Sequence, residues 1–95
     1  MTLSQFNDLY PNYTGLIFIN SRFFVDSKLK NQLDTLKAKY IELQIDNLHN
    51  SFFKVFKPNI GANLIYFKNG EFKKQIERIK PIDKLDDFIK SCNEL

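Results

Sequence analysis

The sequence predicts a single α/β domain over residues 1–95, a four-stranded mixed sheet flanked by helices in the order α-β-α-β-α-β-β-α. Three observations carry this prediction. Leu16-Ile17-Phe18-Ile19 is a continuous apolar run, the pattern of a strand covered on both faces. Leu29, Leu33, Leu36 and Tyr40 then recur at spacings of four, three and four, one stripe of a helix. Leu64-Ile65-Tyr66-Phe67 leads into Asn69-Gly70, the dipeptide that supplies positive φ at both central positions of a type I′ hairpin turn.

Taken in order, Leu3, Phe6 and Tyr10 place one apolar face on a short helix from Leu3 to Leu9, closed before Pro11. The strand after Gly15 follows, and the helix behind it is expected from Asp26 or Ser27 to Tyr40, either residue being a suitable N-cap. Tyr40 to Asp46 alternates apolar and polar, a strand pattern. A shorter helix is expected over His49 to Lys57, packing Phe52, Phe53, Val55 and Phe56 inward before Pro58 ends it. The strand from Asn63 to Phe67 returns through Asn69-Gly70 as a strand from Glu71 to Arg78. Lys73, Lys74, Glu77 and Arg78 give this return strand the charge of a protected sheet edge. Ile82, Leu85, Ile89 and Cys92 lie on one stripe of a closing helix from Pro81 to Leu95, with Asp83, Asp86 and Asp87 near its positive end. A right-handed crossover makes the first two strands parallel, and the hairpin adds an antiparallel edge.

Composition excludes several function classes. With 43% hydrophobic residues and only 3 Gly and 3 Pro, the chain is neither disordered nor fibrous; 10 Phe and no Trp make its core aromatic. The net charge of +3 is spread over scattered lysines, which reads as a solvated surface rather than a phosphate-tracking stripe. The single cysteine, Cys92, cannot form an intramolecular disulfide and falls on the apolar stripe of the last helix as a small buried hydrophobe. Met1 to Asp8 shows neither a basic leader nor a long apolar run, and no run is long enough to span a bilayer, so a cytoplasmic location off the membrane is expected. His49, the only histidine, reads as an exposed capping or loop residue. One Cys and one His far apart offer no metal site. No phosphate loop or dinucleotide fingerprint can be built from Gly15, Gly61 and Gly70, and no cofactor is expected.

The segment Leu64 to Glu71, together with Ile45-Asp46 and Phe88-Ile89, resembles thioredoxin. The resemblance covers about Gly15 to Leu95, is strongest over the hairpin, and implies a thioredoxin-like sandwich without the short first strand that many members possess. It also shows what is missing. Where thioredoxins carry Trp-Cys-Gly-Pro-Cys-Lys, this chain has Arg22-Phe23-Phe24-Val25-Asp26-Ser27-Lys28. The two cysteines correspond to Phe23 and Asp26 without a gap, or to Phe24 and Ser27 with one inserted residue. The family's cis-proline position falls in Gly61-Ala62-Asn63, and its buried aspartate corresponds to Ile17. Without a thiolate there is no nucleophile for disulfide exchange, and neither Ser nor Asp can take its place.

The resemblance therefore predicts a redox-inactive protein-interaction module, not an enzyme, with no catalytic residue. Its partner-binding candidates are Arg22, Phe23, Phe24, Val25 and Asp26, beside Gly61, Ala62 and Asn63. That loop leaves the carboxyl end of the central strand, where open α/β sheets commonly bind ligands. Two readings stay open for the loop: it is a docking surface, with at least one of Phe23 and Phe24 exposed because adjacent residues of an extended segment point opposite ways, or Phe23 and Val25 continue the packing of the strand and face the core. The expected partner is another protein. The alternatives are a nucleic-acid-associated basic protein using Arg22 and Lys28 for phosphates, and a small subunit of a larger assembly, a homo-oligomer included, that covers an edge strand or exposed Phe.

Overall fold

The computed structural model describes residues 1–20, 27–57, 63–76 and 85–94. Along them run α1 (Leu3–Leu9), β1 (Gly15–Asn20), α2 (Ser27–Thr35), β2 (Tyr40–Gln44), a 3-10 turn (Ile45–Asn47), α3 (Asn50–Phe53), β3 (Asn63–Lys68), β4 (Glu71–Gln75) and α4 (Leu85–Asn93). The strands form one mixed sheet in the order β2-β1-β3-β4. β1 runs parallel to β2 with Leu16 beside Tyr40 and Asn20 beside Gln44, and antiparallel to β3 with Gly15 beside Phe67 and Ile19 beside Asn63.

β1 and β3 are interior strands, which explains their unbroken apolarity: both of their faces are covered. One face carries Ile17, Ile19, Ile65 and Phe67 against Phe6 of α1 and Phe52 and Phe56 in and after α3. The Phe6 ring meets Phe52 and Phe67 edge-on at 5.8 and 5.7 Å, the offset geometry that aromatic quadrupoles favour. The other face carries Leu16, Phe18, Leu64 and Tyr66 against Leu29 and Leu33 of α2 and Leu85 and Cys92 of α4.

Local chemistry sets the ends of the elements. α1 opens on a capping box, in which the Gln5 amide donates to Thr2 Oγ1 at 3.0 Å and the Thr2 amide to Gln5 Oε1 at 2.8 Å. The hairpin turn has φ of 53° at Asn69 and 81° at Gly70, as a type I′ turn requires. The Asn69 amide donates to Thr14 Oγ1 and the Gly70 amide to the Tyr13 carbonyl, each at 3.0 Å, tying the turn to the chain entering β1. At Gly15, with φ of 151°, an added Cβ would lie 2.7 Å from the Tyr13 hydroxyl, so the ring of Tyr13 requires glycine there.

The structure shortens several expected elements. α2 ends at Thr35 rather than Tyr40. The Ala38 amide bonds the Leu33 carbonyl and the Lys37 amide bonds the Asp34 carbonyl, with Lys37 left-handed at φ 54°. This is a Schellman stop. Leu36, counted in the apolar stripe, is 43% exposed, and Tyr40 belongs to β2. β2 in turn ends at Gln44, because Ile45 and Asp46 enter the 3-10 turn. α3 is a single turn, after which Val55 bonds the Phe52 carbonyl three residues back; Phe52 and Phe56 still face the core. β4 ends at Gln75, and α4 is described from Leu85 to Asn93. The expected extensions through Glu77 and Arg78, and over Pro81 to Lys84 and Leu95, lie outside the described residues. No helix of the described residues is long and apolar enough to cross a membrane.

Candidate functional site

Of the eight residues predicted to bind a partner, Arg22, Phe23, Phe24, Val25, Asp26, Gly61 and Ala62 lie outside the described residues. Asn63, the eighth, opens β3 and is 1% exposed. The site is therefore defined by its frame: the carboxyl end of β1 at Asn20, the start of β3 at Asn63, and the ends of β2 and β4 beside them.

This end of the sheet is chemically distinct. Asn20 and Asn63 are the only buried polar side chains among the described residues, and both stand here, on adjacent strands and pointing to opposite faces. Asn20 Nδ2 donates to Glu42 Oε1 at 2.9 Å. Glu42 is acceptor-only when ionised, so this contact fixes the amide's orientation and turns Oδ1 the other way. Asn20 Oδ1 is buried and has no hydrogen-bond partner among the described residues. Lys30 of α2 completes the group, its Nζ 3.0 Å from Glu42 Oε2. The hydrogen bond to Glu42 and then its charge hold the Lys30 ammonium above the usual lysine range, so it stays a cation. On the opposite face Gln75 Nε2 donates to the Lys57 carbonyl at 2.6 Å and approaches Asn63 Oδ1 at 3.5 Å, tying the start of β3 to the segment after α3.

The arrangement supplies amide donors and acceptors and one ion pair. Among the described residues its one carboxylate, Glu42, is engaged by both Asn20 and Lys30. Cys92, on the stripe predicted for it, is 1% exposed, and burial pushes its thiol up against the weaker opposing pull of Lys74; it is held as a thiol. His49 is an exposed N-cap, its Nδ1 accepting from the Ser51 amide at 3.2 Å. Ser91 accepts from Lys74 Nζ at 2.6 Å and spends its own proton on the Phe88 carbonyl at 2.7 Å, the reverse of what an activated hydroxyl needs. Among the described residues no three His, Cys, Asp or Glu side chains come together as a metal group would require.

No family model matches this chain, and neither does any curated protein. The reading of the site thus rests on its own residues. Sequence reasoning missed Asn20, Lys30, Glu42 and Gln75. A signal existed for the first of them: Asn20 is the polar residue that ends the continuous run Leu16 to Ile19.

Proposed function

We propose that the chain is a redox-inactive thioredoxin-like domain that binds another protein at the carboxyl end of β1. The docking residues are Arg22, Phe23, Phe24, Val25 and Asp26 with Gly61, Ala62 and Asn63. Occupancy rather than turnover would be the output. One observation carries the location: both buried polar side chains of the described residues stand at this end of the sheet, where burying an amide costs free energy that an apolar residue would not. Such a cost is expected where function, not packing, selects the residue. The strand order, with β1 parallel to β2 and antiparallel to β3, accords with the thioredoxin-like reading. The single, buried cysteine accords with the loss of disulfide exchange.

The test is affinity capture from the native host with the wild-type chain beside a Phe23→Ala/Phe24→Ala variant. Specific partners should be lost from the variant. Equal recovery of every partner would remove the docking role. Independently, catalysis of insulin reduction by dithiothreitol would remove the redox-inactive assignment.

A further inference from the structure

The two edges of the sheet are built differently. β4 carries Lys73 and Lys74 and a register shift opposite Tyr66 and Phe67, the devices that blunt an edge against pairing. β2 has none of them. Its five residues, Tyr40-Ile41-Glu42-Leu43-Gln44, contain no lysine, proline or irregularity, and Ile41 and Leu43 are only half-buried. Among the described residues no backbone group bonds the outer side of this strand.

We infer that β2 pairs antiparallel with β2 of a second copy of this chain, joining two sheets about a two-fold axis perpendicular to them. Such an axis keeps each face on its own side, so opposed residues must share a face. The register centred on Glu42 is the one that pairs the strand along its full length. It sets Ile41 against the partner's Leu43 on the α1 and α3 face, and Tyr40 against the partner's Gln44 on the α2 face. Registers centred on Ile41 or Leu43 pair only part of the strand.

The centre of that register brings Glu42 opposite its own copy, and like charges directly opposed are destabilising. The structure already disarms this pair. Asn20 on the inner neighbour β1 and Lys30 on α2 hold the two oxygens of the Glu42 carboxylate at 2.9 and 3.0 Å, drawing it away from the outer edge. Two Glu42 carboxylates thus meet with two Lys30 ammonium groups, one from each copy, so each opposed carboxylate has its own counter-ion. The pairing also closes, because it consumes both β2 edges and leaves only the lysine-bearing β4 edges outside. A five-residue strand makes a small interface, so a weak, concentration-dependent dimer is expected rather than a permanent one.

Sedimentation of the whole chain from about 10 μM to about 1 mM should show a monomer–dimer equilibrium. Leu43→Lys should raise its dissociation constant by about tenfold or more while the circular dichroism spectrum is unchanged. Register is read by cross-linking in a Cys92→Ala background. Glu42→Cys places two sulfurs on the axis, between opposed residues whose Cα atoms lie about 4.5 to 5.5 Å apart and within disulfide reach, and it should link to itself under mild oxidation. Tyr40→Cys, opposed to Gln44, should not. A monomer throughout the range, Leu43→Lys dimers as tight as wild type, or equal linking of the two cysteine variants would each overturn the inference. Should Leu43→Lys fail to fold, the cysteine pair decides alone. None of these outcomes depends on Phe23 or Phe24, so the docking proposal stands or falls separately.

Discussion

Alkaline unfolding should be governed in large part by one phenol. Tyr13 is 8% exposed, donates its hydroxyl proton to the Leu16 carbonyl at 2.9 Å, and lies edge-on to Phe6. Burial first, and the neighbouring Tyr10 second, push its pKa up to about 12. In the unfolded chain a tyrosine titrates near 10. The folded value is the higher one, so the contribution is fully present below about pH 10 and is lost as pH rises through about 12, where the unfolded chain binds fewer protons than the native one. Two units at about 1.4 kcal/mol each amount to roughly 2.7 kcal/mol, against a total of about 5 to 14 kcal/mol for a domain of this size. Tyr13→Phe abolishes the titration but leaves a buried carbonyl short of a donor, costing about 1 to 3 kcal/mol at neutral pH. Urea denaturation followed by circular dichroism from pH 7 to pH 12 should therefore show the variant less stable at first, with the two curves converging or crossing above about pH 10. Tyr40, raised chiefly by its hydrogen bond to Asp34, titrates in both proteins and cancels in the difference. Parallel curves through pH 12 would refute the reasoning.

Two further substitutions test chain reversals that the fold depends on. Lys37→Gly should stabilise the domain by about 0.5 to 1 kcal/mol, because the residue that stops α2 is left-handed and pays for its Cβ there; thermal denaturation should show a higher midpoint. His49→Ala should cost about 1 kcal/mol by leaving the Ser51 amide uncapped, whereas His49→Asp should keep most of that stability; urea midpoints of the three proteins check the order.

The strands were legible because each announces its own environment. Leu16 to Ile19 and Leu64 to Phe67 are apolar without interruption and are buried on both faces, while Asn69-Gly70 carries its turn type in its two residues. Both ends of α1 were legible, Leu3 and Leu9 standing as expected, but the end of α2 was not. The stripe Leu29, Leu33, Leu36, Tyr40 has helical spacing throughout, yet the helix stops at Thr35 through a left-handed residue that is lysine, with no glycine to announce it. Tyr40 fits either period, and its place in β2 is decided by pairing with Leu16, a contact that local spacing does not contain. The frame of the candidate site was hidden for a similar reason. Asn20 meets Glu42 across two strands and 22 positions of sequence, and Gln75 reaches Asn63 and Lys57 from the neighbouring strand. Residue types announce such partners only after the register is known.

The two ends of the sheet are tied differently. At the hairpin end, backbone and side-chain bonds join Asn69 to Thr14 and Gly70 to Tyr13, and the ring of Tyr13 closes over Gly15. Any opening there must break the turn, the entry to β1 and the packing around Phe6 together. At the opposite end Asn20 is the last residue of β1 and Asn63 the first of β3, and their side chains contact Glu42 and Gln75. Strand ends open more readily than strand centres, so hydrogen exchange should be faster at Asn20 and Asn63 than at Ile17 and Ile65 near the middle of the same strands.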